Sequence, residues 1–229
     1  TCKGKTDGEN PSGLIPLDKK QKEREKMKRE NTPELVTERL ILRKFTEEDR
    51  EALYEILKDE EVNRFLPWFP AASLEAAETF LKEHYLDSYK KESGYQYAIC
   101  LKGENRPVGY IGVSMEESHD LGYGLRKEYW NQGIVTEAGR AVIERVRKDG
   151  IPYLTATHDV KNPASGAVME KLGMSYQYSY EELWQPKNFL VTFRLYQLNL
   201  DGETERVYRK YWEQSEVHFV EDREEETRQ

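Results

Sequence analysis

Runs with a two-residue apolar period alternate along this chain with runs of helical period, and their order outlines a domain. Residues 37–43, Thr-Glu-Arg-Leu-Ile-Leu-Arg, read as a short strand. Thr46, with Asp49 three residues on, opens a helix toward Lys58 whose apolar side is Leu53, Ile56 and Leu57. Leu66-Pro67-Trp68-Phe69-Pro70 predicts a loop, because its prolines disrupt helix and sheet alike. Ser73 caps a second helix that buries Ala76, Ala77, Phe80 and Leu81. Residues 95–101 and 107–115 predict a hairpin turning at Gly103-Glu104-Asn105, and 120–125 a further strand. A long helix over 134–148 carries Ala138, Ala141, Val142, Ile143 and Val146 on one side and stops at Gly150. Then come a strand at 153–157, a short helix at 165–172 closed by Gly173, and strands at 175–181 and 189–199. Strands dominate, with helices inserted between some of them. This predicts an α/β mixed (α+β) fold, a central mixed β-sheet flanked by helices.

The periodic part spans residues 34–200 and leaves two flanks. Residues 1–33 hold Gly, Pro and Lys and then a charge run from Lys19 to Arg29, the composition of a polar, solvated arm. Residues 201–229 form a charged extension in which Val207, Tyr208, Tyr211, Trp212 and Ser215 recur at helical spacing. So many aromatics predict packing on the domain, a sister subunit or a cleft rim, with 222–229 frayed.

Charge and cysteines narrow the class. The formal net charge is −8 and charged residues make up 34% of the 229, so a nucleic-acid partner is not expected. Cys2 and Cys100 are far apart and lack metal-ligand or framework spacing, so neither a disulfide scaffold nor a metal site is expected. No apolar run approaches the roughly 20 residues that span a bilayer, and no secretory signal is evident. A cytoplasmic protein without membrane partners, monomeric or homodimeric, is the expectation.

The segment 120–148 carries candidate chemistry. A strand, a loop ending at Gly133 and a helix from Ile134 place unpaired N–H groups and the positive end of a helix dipole at a position that a glycine leaves open. Gln132, Gly133, Ile134, Val135 and Thr136 would present those donors to an anion such as a pyrophosphate. By spacing alone, the segment indicates an anion-binding helix entrance and no more.

Together with residues 153–174, this segment resembles a known family. The order strand, loop, glycine-led helix, strand, then Asn162-Pro163-Ala164-Ser165 leading to Glu170-Lys171-Leu172-Gly173-Met174, is similar to the GNAT superfamily of acetyltransferases. Leu121-Gly122-Tyr123-Gly124-Leu125 followed by Tyr129-Trp130 resembles the branch that acetylates ribosomal-protein N-terminal alanines. The likeness covers about residues 35–200. Two positions depart from the superfamily. Its coenzyme A loop usually reads Arg or Gln, two residues, Gly, one residue, then Gly or Ala, where this chain has Trp130, Gly133 and Val135. Many members carry a tyrosine two residues before the lysine of the closing helix, where this chain has Met169, which cannot donate a proton.

The resemblance implies acetyl-CoA as donor, strands splayed at its binding site, and direct attack by a primary amine without a covalent enzyme intermediate. Neither cysteine has a nucleophile's setting, which agrees. It implies that the pantetheine arm runs along the backbone of Leu125, Arg126 and Lys127, with the helix entrance and Asn162 also on the donor. With Met169 unable to act, Ser165 becomes the candidate acid for the thiolate; it would also suit a helix cap. Glu116, Glu117, His119 and Asp120 cluster after the 107–115 strand and are candidate bases, although the same cluster suits a polar hairpin turn. Trp68, Phe69 and Trp184 are candidates for lining the acceptor pocket. A different class stays open at this point: a coenzyme A-binding regulatory domain, or pseudo-enzyme, without turnover.

Overall fold

A computed structural model describes residues 30–222. Most of the 1–33 arm and the end of the extension lie outside the described residues. Strands β1 (Leu35–Val36), β2 (Leu40–Arg43), β3 (Tyr95–Leu101), β4 (Pro107–Val113) and β5 (Leu121–Leu125) form one antiparallel sheet in chain order. A second antiparallel sheet contains β6 (Tyr153–Asp159), β7 (Ser175–Trp184), β8 (Phe189–Asn199) and β9 (His218–Phe219), in the order β6-β8-β7-β9. One parallel bridge, Asp120 to Thr155, joins them. The mixed α/β architecture thus takes the form of two antiparallel sheets touching at a parallel seam.

Among the described residues, five α-helices complete the fold: α1 (Arg50–Leu57), α2 (Leu74–Phe80), α3 (Ile134–Lys148), α4 (Pro163–Lys171) and α5 (Lys210–Gln214). Side-chain alternation along the first sheet assigns its two faces. Leu40, Leu42, Tyr97, Ile99 and Ile111 face α3, which contributes Ala138, Val142, Ile143 and Val146. Cys100, Ala98, Phe45 and Tyr110 meet α1 and α2 through Leu53, Ile56, Leu57 and Ala77. Each Leu, Ile or Val side chain among them, removed fully from water, contributes about 1.5–3 kcal/mol. Cys100 is completely buried, and burial pushes its thiol up to about 11, in keeping with an inert core residue.

Local signals set most boundaries. Thr46 and Asp49 form a reciprocal capping box on a 3₁₀ turn that runs into α1, and the Ser73 Oγ accepts from the Ala76 N–H at 3.3 Å. Some ends differ from the apolar pattern. β4 stops at Val113, because Ser114 N–H donates to the Asp120 carbonyl at 2.9 Å and closes the turn there. α4 begins at Pro163, where a missing N–H costs nothing, so Ser165 occupies the third helical position rather than the cap. β6 and β7 run on to Asp159 and Trp184, held by pairing with β8 that local pattern does not record.

Candidate functional site

The seam between the sheets is where the chain opens. Thr155 N–H donates to the His119 carbonyl at 3.3 Å, and beyond this point β5 and β6 belong to different sheets. The two bonds that bracket the β4–β5 ladder, Ser114 N–H to Asp120 O and Arg126 N–H to Val108 O, fix its register. Alternation then directs the backbone groups of Leu121, Tyr123 and Leu125 to the other edge of β5. On the facing strand, Val160 N–H donates to Thr192 O, which likewise turns the backbone groups of Thr157 and Asp159 away from β8. An extended molecule entering between β5 and β6 would meet the backbone groups of Tyr123 on one side and of Thr157 on the other, whereas the Asp159 carbonyl is already taken by the Asn162 N–H at 2.7 Å. The Arg126 amide is committed to Val108, and Trp130 Nε1 donates to the Leu125 carbonyl at 2.8 Å. Lys127 starts a 3₁₀ turn and pairs with Glu61. Of the backbone predicted to track a pantetheine arm, the N–H of Leu125 lies on the open edge, joined there by Tyr123.

Past Trp130 the chain turns into α3 through Asn131 (φ 59°) and Gly133 (φ 74°). A side chain at Gly133 would strain that left-handed backbone. The N–H groups of Ile134, Val135 and Thr136 have no acceptor among the described residues. Beside them lies a cavity of about 380 Å³ lined by Glu38, Arg39, Gly133, Thr136, Glu137, Arg140 and Lys171. Glu137 would repel an anion there, but it is occupied. Thr37 Oγ1 (2.6 Å), Arg39 N–H (2.9 Å) and Arg39 Nε (2.6 Å) all donate to its carboxylate. Burial opposes its charge, yet these donors outweigh burial and hold the carboxyl below its ordinary value. Arg39 also donates to the Gln132 carbonyl at 3.0 Å, bracing the loop. The result is a helix entrance with three N–H donors free of backbone partners and cations from β1–β2, α3 and α4. Those residues fit a bridged phosphate followed by an extended arm.

Residues 39–175 match the family model for the acetyltransferase (GNAT) domain. The chain belongs to the GNAT acetyltransferase family. It is 28% identical over 144 residues to the uncharacterized N-acetyltransferase YnaD of Bacillus subtilis strain 168, covering 61% of this chain and 81% of YnaD. Among solved structures, a GNAT-family acetyltransferase from Bacillus anthracis superposes with a TM-score of 0.65 at 25% identity, covering 74% of this chain and 99% of that one. RimL, a ribosomal L7/L12 α-N-protein acetyltransferase solved with coenzyme A, has a TM-score of 0.65 at 20% identity over 73% of this chain and 97% of its own, a likeness of fold. This chain is therefore an acyltransferase of the N-acetyltransferase class.

In this GNAT domain the candidate acids and bases separate clearly. Glu116 and Glu117 are exposed on the β4–β5 turn, with Glu117 4.0 Å from Lys210 Nζ. His119 (φ 46°) sets its ring edge against Tyr153 at 5.3 Å. Asp120 stands at the seam itself. Part of the residue still touches solvent, but its carboxyl is enclosed, and this desolvation raises it from 3.8 to about 6 against the lowering effect of the Thr155 hydrogen bond. Gly122, next on the same face of β5, has open space where a side chain would stand. Ser165 lies across the opening from β5, and its Oγ is 2.9 Å from the hydroxyl of Tyr123. Asn162 precedes α4 without making a side-chain cap. Met169 is buried in the core beneath α4.

The aromatic candidates converge from two directions. Trp68 donates from Nε1 to Asn63 Oδ1 at 3.0 Å and packs edge-on to Phe80 at 5.2 Å. Phe69 is 61% exposed. Trp184 packs edge-on to Phe193 at 5.0 Å, at the β7–β8 hairpin. Lys187 of that hairpin donates to the carbonyls of Asn63 at 3.0 Å and Arg64 at 3.3 Å, bringing the Trp68 loop and the Trp184 hairpin together. The extension covers the second sheet. Tyr211 stacks on Tyr180 at 5.2 Å, Trp212 meets Tyr178 edge-on at 5.3 Å, and Tyr178 donates to the Tyr208 carbonyl at 2.7 Å. Among the described residues no cluster of His, Cys, Asp or Glu could hold a metal ion, and no helix is long and apolar enough to cross a membrane.

Sequence reading missed Arg39, Arg140, Lys171 and Tyr123 as candidate site residues. Only Tyr123 left a signal: alternation along Leu121-Gly122-Tyr123 puts it on the opposite face from Asp120.

Proposed function

We propose that this acetyltransferase transfers the acetyl group of acetyl-CoA to a primary amine by direct attack in a ternary complex. The amine would be a protein N-terminus or a small molecule. Acetyl-CoA supplies an acetyl group activated as a thioester. The reading rests above all on Asp120, a carboxyl with a value near 6 at the seam where β5 and β6 part, beside the open face of Gly122.

Gly133, Ile134, Val135 and Thr136, with Arg39, Arg140 and Lys171, bind the pyrophosphate and neighbouring phosphate. Backbone groups of Tyr123 and Leu125 hold the arm as an added strand would be held. Asp120 takes the proton that the amine loses, directly or through water. An α-amine with pKa near 8 needs little such help, whereas a lysine amine near 10.4 is neutral only about one part in a thousand at neutral pH. Ser165 donates a hydrogen bond to the leaving sulfur. Trp68, Phe69 and Trp184 form the acceptor rim, and holding both reactants in line supplies much of the rate.

The experiment is mass spectrometry of a peptide and amine panel incubated with the protein and acetyl-CoA, locating the acetylated nitrogen. The expected product is an amide on a primary amine, with coenzyme A released in equal amount, and Ser165→Ala lowers turnover far more than acetyl-CoA affinity. Tight binding of acetyl-CoA with no release across the panel would establish the regulatory reading instead.

A further inference from the structure

The Tyr123 hydroxyl is bonded twice to one residue of α4. It donates to the Ser165 carbonyl at 3.0 Å and lies 2.9 Å from Ser165 Oγ. A phenol carries one proton and a serine hydroxyl another. If the phenol proton goes to the carbonyl, Ser165 Oγ–H must point at the phenol oxygen. If the phenol proton goes to Oγ, the serine proton is released to point elsewhere. The first arrangement satisfies both donors within the protein, whereas the second leaves the serine proton for a bound ligand. Desolvation holds the phenol well above its ordinary value despite the Ser165 hydrogen bond, so it keeps its proton at any working pH.

We propose that Tyr123 is the positioning residue for Ser165: by swinging its O–H from the Ser165 carbonyl to Ser165 Oγ, it frees the serine proton for the thiolate leaving group. The proposal rests on the reading that acetyl-CoA is the donor. As the amine nitrogen bonds to the carbonyl carbon, the carbon–sulfur bond breaks and its electron pair goes to sulfur. Ser165 Oγ–H then donates to that thiolate, and Tyr123 O–H donates to Ser165 Oγ. No group on the protein is ionised by the exchange. Tyr123 thus contributes from β5 a phenol to the closing helix, whose own position 169 is a buried methionine.

The test uses coenzyme A itself, so it does not depend on knowing the acceptor. The thiol is titrated by its ultraviolet thiolate absorbance in complex with wild type, Tyr123→Phe, Ser165→Ala, the double variant and Ser165→Thr. Wild type is expected to lower the thiol pKa, raising ionisation about tenfold, since hydrogen bonds to charged groups are worth that much. Tyr123→Phe and Ser165→Ala should each lose most of this shift, the double variant should lose no more than either, and Ser165→Thr should retain it. Turnover should follow the same order at nearly constant KM for acetyl-CoA. A wild-type shift that survives in Tyr123→Phe, or losses that multiply in the double variant, overturn the proposal. Failure of wild type to bind coenzyme A would instead overturn the donor reading.

Discussion

Thr155 Oγ1 donates to the Ser118 carbonyl at 2.8 Å and lies 3.3 Å from Asp120 Oδ1, so one threonine on β6 holds both the turn before β5 and the carboxylate at the seam. This contact is also the point from which the two sheets diverge. The residue best suited to take a proton is therefore fixed at the apex of the opening rather than on the exposed turn with Glu116 and Glu117.

Asp120→Asn separates activity from stability. General-base help of this kind contributes about 10²- to 10⁴-fold, so turnover should fall by that order, and the rising limb near pH 6 should vanish from the pH–rate profile. A carboxyl moved from 3.8 to about 6 is disfavoured in its charged form by about 3 kcal/mol. That penalty is absent below about pH 4 and complete above the folded value. The variant should thus melt higher than wild type at pH 7, with the gap closing toward pH 4. Thermal melts from pH 4 to 8 check this, and equal melting at pH 7 would argue that Asp120 is not charged in an enclosed site.

Arg39→Leu leaves the Glu137 carboxylate facing the helix entrance without its main partner. Acetyl-CoA affinity is expected to drop about tenfold at low salt and less at high salt, because exposed charge effects are screened. Adding Glu137→Gln should restore part of the loss. Calorimetry at two ionic strengths measures both.

The extension is a structural part of the second sheet. Tyr178→Phe would leave the Tyr208 carbonyl without its donor in a buried place, at a cost of about 1–3 kcal/mol. Urea unfolding should show the loss, while coenzyme A affinity stays at the wild-type value. An affinity that falls in parallel would tie the extension to the donor site instead.

The elements themselves were legible in the sequence because their causes are local. Gly133 before an apolar stripe marks a helix entrance, Thr46 with Asp49 marks a cap, and two-residue alternation marks β2 to β8 to within a few residues, while β1 and β9, two residues each, are too short to leave a period. The ends of β4, β6 and β7 were misjudged where a turn bond or a partner strand, rather than local pattern, decided them. Site residues divide along the same line. The glycine-led helix entrance is contiguous, so Gln132–Thr136 could be read directly as its candidate donors. Arg39 reaches it from 93 residues away, and Tyr123 reaches Ser165 across 42.

Sequence by itself determined strands β2 to β8, the helices, the glycine-led entrance and the likeness to one family, all properties of short windows or of their order. Tertiary structure alone decided that Asp120 sits at the seam, that Glu137 is neutralised by Arg39, and that Tyr123 faces Ser165. Each of these depends on two sheets meeting at Asp120 and Thr155 and parting beyond them. That geometry arises from pairing between distant segments, and no period along the chain encodes it.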